Sequence, residues 1–271
     1  MQEWLQEPVI RLLAGLIGSS VVAWSSWRKQ SLTSSGALAA IVVGTVTVAA
    51  GGAAWFGLVL VFFVSSSMLT RWKQARKAAA ESAYAKGGRR DAGQVLANGG
   101  IATACCALTL IPGLDPTMLY AGFAGALGAA TADTWATEIG GLSRSDPFHI
   151  LTGKRVPAGT SGGITWLGSA AAIAGACLIG LSSLLLGGTT DMSFPLIVLV
   201  AGTAGAAVDS VIGAVWQHMY HCVSCGRFVE SSEHCSMPAR PARGLRWMDN
   251  DAVNGICTAV GACIGMLLVV L

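Results

Sequence analysis

Long apolar runs separated by short polar stretches dominate the chain. A run of about 18 or more residues with few charges can cross a bilayer as a helix. Eight such segments are expected, at roughly 7–27, 34–52, 53–70, 94–112, 117–141, 163–187, 194–216 and 251–271. Gly51-Gly52 makes a tight link between the second and third. Pro112-Gly113-Leu114-Asp115-Pro116 turns the chain between the fourth and fifth, and Gly187-Gly188-Thr189-Thr190-Asp191 joins the sixth and seventh. The expected fold class is all-α, a polytopic transmembrane helical bundle of about eight spans. A single integral membrane domain covers 1–271, with long polar loops at 71–93, 142–162 and 217–250. Only 11% of residues are charged and 53% are hydrophobic, whereas a soluble domain carries about 25% charged residues. The 35 glycines suit close helix packing in a membrane.

Charge placement turns the segments into a topology. Arg28 and Lys29 follow the first segment, and Arg71, Lys73, Arg76, Lys77, Lys86, Arg89 and Arg90 follow the third. Arg144, Lys154 and Arg155 follow the fifth, and Arg227, Arg240, Arg243 and Arg246 follow the seventh. Of the 17 basic residues, only Arg11 lies outside the odd-numbered loops. An excess of Lys and Arg marks cytoplasmic loops, so the odd loops are expected in the cytoplasm and both termini outside the cell (inner) membrane. The opening Met1-Gln2-Glu3-Trp4 does not resemble a cleavable signal. The net charge of +3 is small, and no nucleic-acid partner is expected. The polar clusters gather at cytoplasmic helix ends. A transporter would more often carry polar groups near the bilayer midplane, so an enzyme working at the membrane surface is favoured.

Several constellations carry the candidate chemistry. Asp133 and Glu138 close the fifth segment, where acids are costly unless paired or ligated. Glu138 stands about 140° around the helix from Asp133, so one ion need not take both. Neighbouring Ser, Thr or Arg groups would satisfy them equally in a purely packing helix. Lys154-Arg155 precede Gly159-Thr160-Ser161-Gly162-Gly163 at the start of the sixth segment. A Gly-rich turn, a helix N-terminus and two cations make a phosphate cradle, or else a helix cap with a flexible lead-in. Asp209 lies inside the seventh segment, with Gln217 beyond it. Asp249, Asn250, Asp251 and Asn254 open the eighth; one acid there suits an N-cap, while the set of oxygens suits Mg2+. Asn98 sits at the start of the fourth segment, behind Arg89 and Arg90, which suit anionic headgroups. His218-x-x-His221-Cys222-x-x-Cys225 and the later His234-Cys235 have ligand spacing for zinc. Cys222, Cys225, His234 and Cys235 are the expected set for a structural Zn2+, against reduced, unligated thiols.

Four stretches together resemble a known integral membrane family. They are Gln94-Val95-Leu96-Ala97-Asn98-Gly99, Ala132-Asp133-Thr134-Trp135-Ala136-Thr137-Glu138, Gly159-Thr160-Ser161-Gly162-Gly163-Ile164-Thr165 and Asp249-Asn250-Asp251-Ala252-Val253-Asn254. The family is domain of unknown function 92, which includes plant phytyl-phosphate kinase. The chain resembles its prokaryotic branch, which carries the Cys/His loop. More distantly it is similar to polyprenol kinases and lipid cytidylyltransferases. The resemblance implies phosphorylation of an isoprenoid monophosphate by CTP or another nucleoside triphosphate.

Residues and resemblance converge on one site. Asp133, Asp209 and Asp249 or Asp251 are expected to hold Mg2+, with Glu138 beside them. Lys154, Arg155 and the Gly159–Gly163 amides are expected at the nucleotide phosphates, with Asn98, Asn250 and Asn254 nearby. A lipid cytidylyltransferase and an anionic-lipid transporter are the competing readings.

Overall fold

The computed structural model describes residues 7–271, apart from the side chains of residues 78–80. Each of the eight apolar segments forms a helix. In chain order the helices are α1 (Pro8–Arg28), α2 (Ser34–Gly51), α3 (Ala53–Arg71), the short α4 (Gln74–Glu81), α5 (Ala92–Leu108), α6 (Pro116–Gly140), α7 (Trp166–Leu185), α8 (Phe194–Val215) and α9 (Asn250–Val270). The architecture is a polytopic α-helical membrane bundle.

Among the described residues, six helices are long and apolar enough to cross a membrane: α1, α2, α3, α7, α8 and α9. The other two long helices differ from the sequence expectation for physical reasons. Helix α5 has 17 residues; at 1.5 Å per residue that is about 26 Å, somewhat short of a bilayer core of about 30 Å. Helix α6 is long enough, but it is built largely of Ala and Gly. It is buried without a break from Leu119 to Ala132, so it faces protein rather than lipid.

Helix α6 is the axis of the bundle and packs against α3, α5, α7, α8 and α9. Asp115 caps its start by accepting from the Thr117 N–H at 2.8 Å, and Pro116 occupies the first turn. Its small residues let neighbouring backbones touch. A Cβ at Gly125 would stand 2.3 Å from the Gly261 carbonyl oxygen of α9, and one at Gly265 would stand 2.4 Å from that of Ala121. Such contact gains dispersion and leaves no room for a methyl group.

The expected loops are not structureless. The 71–93 loop contains α4. In the 142–162 loop, β1 (Phe148–His149) pairs antiparallel with β2 (Gly163–Ile164). That pairing moves the start of α7 to Trp166, where Thr165 caps it by accepting from the Gly168 N–H at 2.9 Å. The 217–250 loop is a small β lobe holding β3 (Met219–His221), β4 (Phe228–Val229), β5 (Glu233–His234), β6 (Met237–Pro238) and β7 (Arg240–Arg243). Its sheet has the order β4-β3-β7, beside a β5-β6 hairpin.

Candidate functional site

Helices α3, α6 and α8 end, and α5, α7 and α9 begin, at the end of the bundle that carries the basic loops. A cavity of about 550 Å³ opens there. Its wall contains Asn98 of α5, Asp133 and Glu138 of α6, Asp209 of α8, and Asn250 and Asn254 of α9. The loop from Gly159 through Thr160, Ser161 and Gly162 to Gly163 forms one side.

The acids divide into two groups. Asp133 and Asp209 both line the cavity. The Asp209 Oδ2 atom is buried and has no hydrogen-bond partner among the described residues. An orphaned carboxylate oxygen inside a bundle is costly, and a hard cation or a ligand donor would satisfy it. Asn254, 8% exposed, adds an amide to the same wall. Asp249 and Asp251 depart from the expected Mg2+ set. Asp249 is the N-cap of α9, accepting from the Ala252 N–H at 2.9 Å. Asp251 is ion-paired with Lys86, and neither acid is part of the cavity wall. Glu138 lines the cavity, but Thr70 donates to its Oε1 at 2.6 Å and Lys77 is paired with its Oε2. Lys77, 2% exposed, also donates to the Leu69 and Thr70 carbonyls at 2.9 Å, fastening α4 to the end of α3.

The expected cations are replaced by others. A turn closed by the His149 N–H to the Lys154 carbonyl, 2.8 Å, and the Gly153 N–H to the His149 carbonyl, 2.8 Å, holds Lys154 and Arg155 outside the cavity. Lys154 is exposed, and Arg155 lies 3.8 Å over the Phe148 ring while donating to the Asp146 carbonyl. Lys77, Lys86 and Arg90 supply positive charge to the wall instead.

Within the Gly-rich loop, Gly159 and Gly162 have φ of +85° and +81°, a region that disfavours side chains. The Thr160 and Gly163 amides are spent inside the loop, on the Pro157 and Thr160 carbonyls at 3.2 and 2.9 Å. Among the described residues, the amides of Gly159, Ser161 and Gly162 have no such backbone acceptor. The Ser161 hydroxyl donates to Gln217 Oε1, and Gln217 Nε2 donates to Glu230 Oε1 at 2.9 Å. Glu230 Oε2 accepts from the Ala85 N–H at 3.1 Å. Burial nevertheless raises the Glu230 carboxyl above the usual glutamate range. Burial, and then the nearby Glu230 charge, push the Tyr84 phenol up strongly.

A smaller apolar cavity of about 60 Å³ lies among α1, α2, α3 and α5, against Val22, Val43, Phe56 and Phe62. It shares Arg90, Gln94 and Asn98 with the polar cavity. Arg90 is fixed by its backbone: its N–H donates to the Ser31 carbonyl at 2.9 Å and its carbonyl accepts from the Thr33 N–H at 3.0 Å. The guanidinium lies 5.4 Å from the Phe62 ring centroid, and Nη1 is buried with no partner among the described residues. Burial pulls it down to about 10, which leaves it charged at neutral pH. Sequence reasoning gave Arg90 only a headgroup role, because two adjacent arginines at a helix start look like surface charge.

In the β lobe, Cys222, Cys225, His234 and Cys235 place their donor atoms within 4.8 Å of one another. Among the described residues this is the only group of three or more acids, cysteines or histidines so close.

A family model described as integral membrane protein DUF92 matches residues 17–262. Protein PGR of Arabidopsis thaliana is 32% identical over 269 residues, covering 91% of this chain and 92% of its own length. An uncharacterized membrane protein of Methanocaldococcus jannaschii is 29% identical over 262 residues, covering 97% and 96%. Protein VTE6, chloroplastic, of Arabidopsis thaliana is 26% identical over 268 residues, covering 98% and 72%. No solved structure matches. The matched region runs from α1 into α9 and includes every wall of the polar cavity, and the chain belongs to the DUF92 family of integral membrane proteins.

Proposed function

We propose that this protein is a membrane-embedded isoprenoid monophosphate kinase, acting on phytyl or a similar prenyl phosphate with CTP or another nucleoside triphosphate as donor. The observation that carries the reading is Arg90, a buried guanidinium whose Nη1 has no partner among the described residues, on the wall between an apolar and a polar cavity. That arrangement fits an amphiphile with an anionic head. A cavity of about 150 Å³ holds a benzene-sized group, so the apolar pocket, at about 60 Å³, takes only the first carbons of the chain. The rest would lie in the bilayer.

The polar cavity suits the donor. The Gly159, Ser161 and Gly162 amides and the Lys86 ammonium would hold the nucleotide phosphates. Asp133 and Asp209, with amide oxygens from Asn250 and Asn254, are a hard-oxygen set that fits Mg2+, and the orphaned Asp209 oxygen supports that fit. When bound, Mg2+ would neutralise charge on the donor phosphates. Arg90 would hold the acceptor phosphate so that one of its oxygens attacks the γ-phosphorus. The bond from that phosphorus to the β,γ-bridging oxygen breaks, and the nucleoside diphosphate leaves with the electron pair. The acceptor is already ionised near pH 7, so positioning matters more than a strong base. The basic loops at this end of the bundle support a cytoplasmic orientation in the cell (inner) membrane.

The test is purified protein in nanodiscs, supplied with Mg2+, CTP or ATP, and phytyl or geranylgeranyl phosphate. Prenyl diphosphate and nucleoside diphosphate are expected by mass spectrometry. A CDP-lipid with pyrophosphate would identify a cytidylyltransferase. Substrate crossing vesicles without nucleotide consumption would identify a transporter.

A further inference from the structure

We infer that Cys222, Cys225, His234 and Cys235 form a structural zinc site whose occupancy holds the Gly-rich wall of the cavity in place. The donor geometry comes first. His234 Nδ1 lies 3.5 Å from Cys225 Sγ and 3.2 Å from Cys235 Sγ, and all four donors fall within 4.8 Å of one another. A tetrahedral zinc, with bonds of about 2.0–2.3 Å, sets its donors roughly 3.5–3.8 Å apart. None of the three cysteines is tied up in a disulfide.

The backbone presents these donors from two turns. In the first, the Cys222 N–H donates to the Arg227 carbonyl and the Gly226 N–H to the Cys222 carbonyl, both at 2.9 Å, with Gly226 at φ +71°. In the second, between β5 and β6, Cys235 and Ser236 have φ of +53° and +59°, which side-chain-bearing residues rarely adopt. Two-residue strands bury little apolar surface, so this lobe needs another source of cohesion. Four protein ligands leave no open position on the metal, which makes the site structural rather than catalytic.

The link to the cavity is direct. Arg227 lies two residues beyond Cys225 and donates from Nη2 to the Ala158 carbonyl at 2.8 Å, immediately before Gly159. Val229, fully buried, packs with Ala83 and Ala239. Glu230 follows it and reaches Ser161 through Gln217. A lobe closed by zinc therefore grips the Gly-rich loop at Ala158 and at Ser161.

The experiment uses full-length protein with a non-histidine affinity tag, purified in detergent without chelator. Elemental analysis should find one zinc per chain. Cys225→Ser and Cys235→Ser should lose it, and His234→Cys, which keeps four donors, should retain it. Hydrogen exchange over residues 158–163 should rise in the serine variants and stay at the wild-type level in His234→Cys. If the serine variants fail to fold, cobalt substitution of the wild type decides the matter through thiolate-to-cobalt absorption. Zinc-free wild-type protein with all four positions intact, or serine variants that keep zinc, overturn the site. Zinc loss without any change in exchange over 158–163 overturns the link to the cavity. None of these readouts depends on kinase activity, so failure here is separable from failure of the proposed reaction.

Discussion

The Lys86 ammonium is in direct contact with Asp251 Oδ2. It also lies 2.9 Å from Asp91 Oδ2, so one side chain ties the start of α5 to the start of α9 at the mouth of the cavity. Burial pulls the ammonium down, but the hydrogen bonds to Asp251 and Asp91 outweigh it, and the group is held above the usual lysine range. Partly exposed pairs of this kind contribute about 0.2–1 kcal/mol each. Lys86→Gln should therefore lower stability by about 1 kcal/mol or slightly more. A double-mutant cycle with Asp251→Asn, read by thermal unfolding, checks the coupling. Additive losses would show that the two groups do not depend on each other.

Arg90 is expected to recognise the acceptor. Arg90→Gln should raise the KM for prenyl phosphate by about 10²-fold, the loss of a charge-assisted contact in a site shielded from water. The KM for the nucleotide should change little. Arg90→Lys should recover only part of the loss, because a lysine lacks the planar fork. Steady-state kinetics with each substrate varied separately checks this, and an equal rise in both KM values would count against a role specific to the acceptor.

Asp209 sets stability against function. Its Oδ2 is buried without a hydrogen-bond partner among the described residues, and an amide at that position cannot ionise in a setting that penalises charge. Asp209→Asn is expected to raise the unfolding temperature in Mg2+-free buffer while lowering kcat by about 10²-fold or more. Differential scanning fluorimetry and activity on the same preparation check the pair of effects. A variant that is less stable and fully active would remove Asp209 from the site.

Glu230 gives a pH dependence with a definite sign. Burial raises its carboxyl, against the pull of the Ala85 N–H and the Gln217 amide, and the charges of Asp251 and Asp249 add to the rise. Below the ordinary value of 4.5 the group is protonated in both folded and unfolded chains. Between 4.5 and its higher folded value the folded chain binds more protons, so its contribution to stability is lost as pH rises through that window. Wild-type protein should lose more unfolding temperature than Glu230→Gln as pH rises from about 4.5 to neutrality. Parallel pH profiles would be inconsistent with a buried, perturbed Glu230.

The positions of the long helices were legible because membrane spans write themselves as apolar runs. Helix α6 was legible as a helix, yet its place at the axis was not, since Gly and Ala serve a lipid-facing and a backbone-packing surface alike. Asp133, Asp209, Asn98 and Asn254 stood out as polar groups in apolar helices, and they do line one cavity. Lys154 and Arg155 looked equally persuasive beside the glycines. Which way they point depends on a turn closed by backbone hydrogen bonds at His149, and residue type carries no mark of that. The same limit hid Lys86 and Arg90, whose partners Asp251, Ser31 and Thr33 are distant in sequence. The β lobe was invisible because strands of two to four residues are too short to show alternation.

The axial position of α6 bears on how the protein is made. Its surface of Ala and Gly has little affinity for hydrocarbon, and its stabilising neighbours α7, α8 and α9 all follow it in the chain. Of its main packing partners among the described residues, α3 and α5 precede it in the chain. Its packing surface is therefore complete only once the C-terminal half has been made, and the cavity that Asp133 shares with Asp209 and Asn254 exists only with α8 and α9 in place.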